Sequence, residues 1–312
     1  MLKTMKYAVI IGGINIDIGA QSAHSLIAHD SNPGIVFTSL GGVGRNIAHD
    51  LRKLGAEVRF LSALGEDSYT SLIRENLQEL GLDVSLLKKA EGFRNSTYLY
   101  INDAGGDMAL AVSDMRLCEE ISPAYLQQHL SLLNEAAVVG FDTNIPLSSI
   151  EWLAEHCQAP LFCDPVSVTK AEKLKGVLPA LHTLKPNRIE AELLSGEMIY
   201  DEESLQRAAQ VLLEKGLKEV CISLGSEGVY VADREKAFLQ PAVKAQVAST
   251  TGAGDAFSAA WVRGMLEGES LEEKAAFAVT AAAIAVESEE TINPLLSRDY
   301  VRERMKYADT HQ

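Results

Sequence analysis

Short apolar runs alternate with amphipathic segments along most of this chain, and no other feature constrains its fold as tightly. Met5 to Gly12 reads as a buried strand, a helical pattern runs from about Arg45 to Leu54, and Val58 to Leu64 reads as the next strand. Asp67 can cap a second helix, whose apolar positions Leu72, Ile73, Leu77 and Leu80 keep helical spacing until Gly81. Strand-like runs recur at Ala137 to Phe141, Pro160 to Cys163, Leu181 to Leu184 and Val220 to Leu224, separated by helical patterns such as Ser122 to Glu135 and Asp201 to Lys215. Strands joined through helices pair in one direction, so the expected fold class is α/β, a mostly parallel sheet with helices on both faces. The C-terminal part is helical in pattern, with Ala275 to Val286 a buried helix.

Two stretches interrupt the alternation. Ser96 to Asn102 and Asp107 to Ser113 read as paired strands around the turn Asp103-Ala104-Gly105-Gly106, with no helix between them. Residues 14–39 are irregular, with a short strand-like piece at Gly34 to Thr38. Both are expected to leave the main sheet as a small β lid, formed by about residues 14–40 and 93–115 of a single domain spanning 1–312.

A net charge of −15 argues against binding nucleic acid or an anionic membrane surface, since both begin with long-range attraction to basic residues. Asn15 and Asp17 cut the N-terminal apolar run, and Ala275 to Val286 is too short for a bilayer, so neither signal peptide nor membrane span is expected. Cys118, Cys157, Cys163 and Cys221 contain no C-x-x-C pair, which fits buried, reduced thiols in a cytoplasmic protein. His24, His29 and His49 have no metal-ligand spacing.

The sharpest segment is Thr250 to Phe257, TTGAGDAF, at the start of an apolar helical pattern. A glycine-rich turn at a helix start aims successive N–H groups into one space, where the helix dipole favours an anion. Asp255, at the mouth of that space, would stay ionised in the positive field and accept a proton from a substrate hydroxyl. The competing reading is a tight turn in which Asp255 merely caps the helix, and the segment alone leaves the two balanced. Gly41 to Asn46, GGVGRN, opens another helix with glycines that admit a ligand close to the backbone and an Asn46 that offers donors and an acceptor. Asn15 and Asp17 follow the first strand, at the ligand-binding edge of a parallel sheet, unless they form a plain turn. Asn187 and Glu190 have capping-box spacing, and Ser223 to Gly228 reads as a hairpin turn between strands ending at Leu224 and starting at Val229.

With GGVGRNIAHDLRKLGAEVRFLSALGED early and TTGAGDAFSAA late, in the usual order and separation, the chain resembles the PfkB/ribokinase superfamily of ATP-dependent sugar and nucleoside kinases over nearly its whole length. The resemblance implies a ribokinase-like doubly wound sheet whose small β lid closes over the acceptor. It implies ATP as donor, Mg2+ at its phosphates, Asp255 as base and Gly252, Ala253 and Gly254 as the anion hole. Asn187, Ser223, Gly225 and Gly228 would face ATP, with Glu190 organising magnesium and its waters. Asn15, Asp17, Gly41, Gly42 and Asn46 would hold the acceptor. Phosphoryl transfer asks for alignment and charge neutralisation more than covalent help, so this equipment suffices. Neither a Walker A lysine motif nor a protein-kinase signature set occurs.

Ribokinase itself carries a Lys at the position of Val43, a small residue at Arg45 and an acid at Ser249. The first difference argues against free ribose as acceptor, and no potassium site is inferred. Asp30 to Gly34, Gly106 to Met108 with Ser113 to Met115, Asp164 to Ser167 with Lys170, and Leu181 to Gly196 resemble the branch of the family that acts on pseudouridine. That resemblance implies phosphorylation of the ribose 5′-hydroxyl, with Lys170 near the base and Asn144 facing the ribose. Another nucleoside, or a free sugar such as ribose or fructose, is the alternative acceptor. Lid edges of two chains could also pair into a homodimer. A catalytically silent relative would lack the base or the glycines, and Gly12-Gly13-Ile14-Asn15 lacks the glycine spacing of a dinucleotide fingerprint.

Overall fold

The computed structural model describes residues 6–310. The chain starts with β1 (Tyr7–Ile11), leaves for β2 (Asn15–Ser22) and β3 (Gly34–Gly41), and returns through α1 (Val43–Lys53) to β4 (Glu57–Leu61). A short β5 (Ala63–Leu64), α2 (Thr70–Glu79) and β6 (Lys88–Lys89) lead to a second excursion, β7 (Ser96–Asn102) and β8 (Met108–Asp114). Next come α3 (Pro123–Gln128), α4 (Leu130–Glu135), β9 (Val138–Asp142), α5 (Leu147–His156), β10 (Leu161–Asp164) and α6 (Val168–Ala171). They are followed by β11 (Thr183–Leu184), α7 (Arg188–Ser195), α8 (Glu202–Glu214) and β12 (Glu219–Ser223). The hairpin of β13 (Val229–Asp233) and β14 (Ala237–Gln240) precedes α9 (Ala253–Glu267), α10 (Leu271–Ala285) and α11 (Arg298–Thr310). Met5, the expected start of the first strand, lies outside the described residues.

Eight strands form the main sheet in the order β14-β13-β12-β11-β10-β9-β1-β4. All pairs from β12 to β4 are parallel, while β13 and β14 add antiparallel at one edge. The winding reverses at β1: the chain steps out to β4 and later crosses back to β9 on the other side. This leaves a crevice at the carboxyl ends of β1 and β9, the topological switch point where ligands bind in such sheets. Ala8 and Ile10 of β1 join one apolar cluster, with Leu51, Trp261 and Ala278; Val9 and Ile11 join the other, with Val139, Leu153 and Leu212. Alternate residues of one strand thus feed cores on opposite faces, which is why β1 reads as a continuous apolar run.

A second sheet has the order β3-β2-β7-β8, with β2 and β7 parallel and both edge strands antiparallel. Residues 14–39 are therefore less irregular than expected, because β2 and β3 pair from Asn15↔Gly41 to Ser22↔Gly34. Asp17, Gly19 and Ser39 depress strand propensity and hide that pairing in the sequence. The run Val58 to Leu64 breaks at Ser62 between β4 and β5, and the helix expected over Ser122 to Glu135 divides at His129. Asp67 does not cap α2; it accepts hydrogen bonds from the Tyr69 and Asn95 N–H groups. Of the cysteines, Cys118, Cys163 and Cys221 are buried and Cys157 is half-buried, all as free thiols. Among the described residues, no helix is long and apolar enough to cross a membrane.

Candidate active site

Asp142, the buried last residue of β9, ties the crevice walls together. Its Oδ2 accepts from the N–H groups of Gly13 (3.1 Å) and Gly44 (2.7 Å), and its Oδ1 from that of Asn144 (2.7 Å). Burial raises its pKa, and the three backbone bonds pull against that rise. Gly42 lets α1 start directly against this turn: its φ is 103°, and a Cβ there would lie 2.3 Å from the Gly13 carbonyl oxygen. Asn15 and Asp17 open β2 instead of forming a turn, and Asn15 Nδ2 donates to Asp17 Oδ1. The Asp17 carboxylate lies against Gly41, and its burial raises its pKa against the Asn15 bond and Arg45. Lys170 is paired, its Nζ donating to Asn144 Oδ1 at 2.5 Å, and Asn144 lies beside Gly13. Between β10 and α6, Val166 holds φ 64°, a strained conformation for a β-branched residue, and donates its N–H to Asp164 Oδ1 at 2.9 Å.

The other end of the crevice is the start of α9. Gly252 is its N-cap at φ 85°, where a Cβ would lie 2.0 Å from the Thr291 carbonyl oxygen. No side chain caps the helix, so its first-turn N–H groups stay available to an anion. Asp255 stands at the third helical position and accepts from Asn46 Nδ2 at 2.8 Å, which excludes the reading in which it caps α9. The expectation that a positive field keeps Asp255 fully ionised needs correction. Burial, then Asp164 and Asp142, push its pKa up to about 7, against the Asn46 bond and Lys185. A carboxyl that titrates there is matched to proton transfer at neutral pH.

Sequence reasoning missed Lys185. Its buried ammonium pairs with Asp164 Oδ2 at 3.2 Å, and the same oxygen accepts from Ser258 Oγ at 2.9 Å. It also lies 3.4 Å from where a Cβ on Gly254 would stand, beside the first turn of α9. Desolvation would lower its pKa, but Asp164, Glu190 and Asp255 hold it above the ordinary value. The available signal was a lysine at the carboxyl end of a strand, just before Pro186 and Asn187.

Asn187 and Glu190 make a capping box: Asn187 Oδ1 accepts from the Glu190 N–H at 2.9 Å, and Glu190 Oε2 from the Asn187 N–H at 2.8 Å. Asn187 also bridges to Ser223, whose N–H donates to the Pro186 carbonyl at 2.9 Å. Gly225 and Gly228 shape the hairpin beyond, where a Cβ on Gly228 would lie 2.1 Å from the Gln240 carbonyl oxygen. Among the described residues, no group of three or more His, Cys, Asp or Glu could cage a metal. Magnesium usually keeps several waters and takes one or two carboxylates plus phosphate oxygens. Glu190, with one oxygen in the capping box and Asp164 close enough to raise its pKa after burial does, fits that mode.

Between the second sheet and α1 lies a cavity of about 1010 Å³, lined by Asp17, Phe37, Tyr98, Tyr100, Met108, Arg45 and Thr251 among others. Phe37 meets Tyr100 edge to face at 5.9 Å, and Tyr98 lies 5.7 Å from Tyr100. These aromatics were also missed, although the i, i+2 spacing of Tyr98 and Tyr100 in a strand puts both on one face.

A switch-point crevice, an uncapped helix start and a carboxylate beside it suit phosphoryl transfer to a hydroxyl group. The chain belongs to the pfkB family of carbohydrate kinases, whose family model matches residues 5–298. It is 37% identical over 299 residues to the pseudouridine kinase of Escherichia coli K12, covering 95% of each chain. It is also 37% identical over 301 residues to the uncharacterized sugar kinase YeiI of that organism, covering 96% of this chain and 83% of the other. The fold is ribokinase-like: the structure of Arabidopsis thaliana ribokinase complexed with ribose and ATP matches with a TM-score of 0.86 at 25% identity, over 97% of this chain and 99% of that one.

Proposed function

We propose that this kinase transfers the γ-phosphate of ATP to the ribose 5′-hydroxyl of pseudouridine, giving pseudouridine 5′-phosphate and ADP. The observation that carries the chemistry is Asp255, with a pKa of about 7, held by Asn46 beside the uncapped start of α9. The acceptor hydroxyl loses its proton to Asp255 as its oxygen bonds to the γ-phosphorus, and the bond from phosphorus to the bridging oxygen breaks to release ADP. The N–H groups of Gly252, Ala253 and Gly254, backed by the Lys185 charge, stabilise the negative charge of the phosphoryl oxygens. Asn187, Ser223, Gly225 and Gly228 flank ATP. Glu190 would orient the waters of Mg2+, which when bound neutralises phosphate charge.

Asn15, Asp17, Gly41, Gly42, Asn46 and Asn144 hold the ribose, and Lys170, hydrogen-bonded to Asn144, lies near the base. The aromatic wall of Phe37, Tyr98 and Tyr100 offers ring faces against which a nucleobase packs. The second sheet acts as a lid that excludes water, which otherwise competes as acceptor. Likeness to the Escherichia coli pseudouridine kinase supports this acceptor over a free sugar. A second copy of the chain covers the outer face of the lid sheet, where Val36, Leu110 and Val112 stand more than half exposed. The working enzyme is cytoplasmic.

The deciding experiment is a coupled ADP-release assay with pseudouridine, uridine, adenosine, ribose and fructose at equal concentration. Pseudouridine is expected to give the highest kcat/KM, and a clear preference for any other acceptor overturns the assignment.

A further inference from the structure

We infer that Arg45 is a positioning residue for Asp255: it fixes the Asn46 amide so that nitrogen, and not oxygen, faces the carboxylate. The inference rests on the reading of Asp255 as the base. Arg45 sits on α1 with 5% of its surface exposed, and a guanidinium is buried at high cost unless its donors are used. One terminal nitrogen donates to Asn46 Oδ1 at 3.1 Å and the other to Asn76 Oδ1 of α2 at 2.7 Å, while Nε has no partner. A guanidinium offers only donors, so the Asn46 atom that turns toward it must be the oxygen. The amide nitrogen is thereby left for Asp255 Oδ2, 2.8 Å away.

Reversing that amide would set its oxygen against a carboxylate oxygen. Two acceptors can share that space only if Asp255 carries a proton, and the protonated form cannot act as a base. Arg45 therefore selects the proton-accepting form of Asp255 without touching it, anchored through Asn76 to α2, between β3 and β7 in the chain. The charged groups around Asp255 are Asp164 at the end of β10, Asp142 at the end of β9, Lys185 after β11, and Arg45 and Asp50 on α1. Loss of Arg45 removes a nearby positive charge and frees the amide, and both changes raise the pKa of Asp255.

The test compares the pH dependence of kcat/KM, from about pH 5 to about pH 9, for the wild type, Arg45→Met, Asn76→Ala, Asn76→Asp and Asp255→Asn. Arg45→Met is expected to move the acid limb upward by about one unit, a roughly tenfold loss on the acid side, with KM for ATP unchanged. Asn76→Ala puts a strong helix former on α2 and should give a smaller shift in the same direction, whereas Asn76→Asp keeps an acceptor for Arg45 and leaves the limb in place. If Arg45→Met does not fold, the two Asn76 variants decide. Lower thermal stability with an unmoved acid limb in Arg45→Met or Asn76→Ala would overturn the positioning role. Near-normal turnover of Asp255→Asn would instead overturn the base itself, and the inference with it.

Discussion

In the main sheet, β1, β9 and β10 are buried along nearly their whole length, whereas in the second sheet β3 and β8 are exposed at most positions. Helices pack on both faces of the first. One face of the second, carrying Asp17, Phe37, Tyr98 and Tyr100, lines the cavity, and the other, carrying Val36, Leu99, Leu110 and Val112, is open at its outer end. Register enforces that division, since Asp17 pairs with Ser39 and Tyr98, while Leu99 pairs with Ile18 and Val112. Asp255, Asn46, Asp142 and Lys185 are rooted in elements packed on the buried sheet, where closely held geometry serves a proton transfer. The groups proposed to meet the acceptor ride partly on a sheet with little buried area to resist motion.

If the buried sheet carries the chemistry, its substitutions should strike kcat hardest. Asp255→Asn is expected to lower kcat by about 10²–10⁴-fold while ATP binding, measured by calorimetry, holds. In the wild type, kcat/KM should fall about tenfold per unit below about pH 7, because the carboxylate is the working form and its pKa lies there. The same shift sets a stability trend. The native chain keeps a proton on Asp255 that the unfolded chain releases near pH 3.8, so stability falls as pH rises from there to about 7. Asp255→Asn should therefore melt higher than the wild type at alkaline pH. Gly252→Ala comes next: a Cβ 2.0 Å from the Thr291 oxygen displaces the start of α9, and kcat is expected to drop about 10²–10³-fold with ATP affinity also reduced.

The unequal surroundings of the two sheets also explain what could be read from the sequence. Strands covered on both faces leave unbroken apolar runs, so β1, β9 and β10 declared themselves. β7 and β8 showed through a polar turn between strand-like segments, but β2 and β3 did not, because Asp17, Gly19 and Ser39 on the cavity face carry polarity and not strand propensity. GGVGRN and TTGAGDAF were legible because a glycine-rich turn at a helix start is a local pattern. Asp142 and Asp164 end β9 and β10 and Lys185 follows β11, and only sheet order brings them together. The pKa of Asp255 escaped for the same reason, since the burial and the Asp164 carboxylate that raise it both come from residues distant in sequence. Of the short pair β5 and β6, β5 reads as the end of the run Val58 to Leu64, while β6 leaves no pattern.

On the acceptor side, the comparison predicts losses in KM. Lys170→Met removes the donor to Asn144 Oδ1 and is expected to raise KM for the nucleoside about tenfold while kcat changes by less than about threefold. An equal fall in kcat with unchanged KM would place Lys170 in the chemistry and erase the division between the sheets.

The smallest effect belongs to the open face of the second sheet. Val36, Leu99, Leu110 and Val112 are 69%, 39%, 59% and 57% exposed, and the edge strands β3 and β8 each pair on one side only. An apolar face flanked by unpaired edges is what a second copy of the same sheet would cover, with backbone pairing and apolar burial acting together. Leu110→Lys sets a charge into that face without touching the cavity. Sedimentation equilibrium is expected to shift from two chains to one, with kcat lowered only about two- to threefold, because the main sheet still holds Asp255 and the anion site. A wild type that sediments as a single chain at micromolar concentration would remove the pairing. The second sheet would then have to hold its cavity face in place through Ile16, Ile18 and Leu40, which pack against the main core.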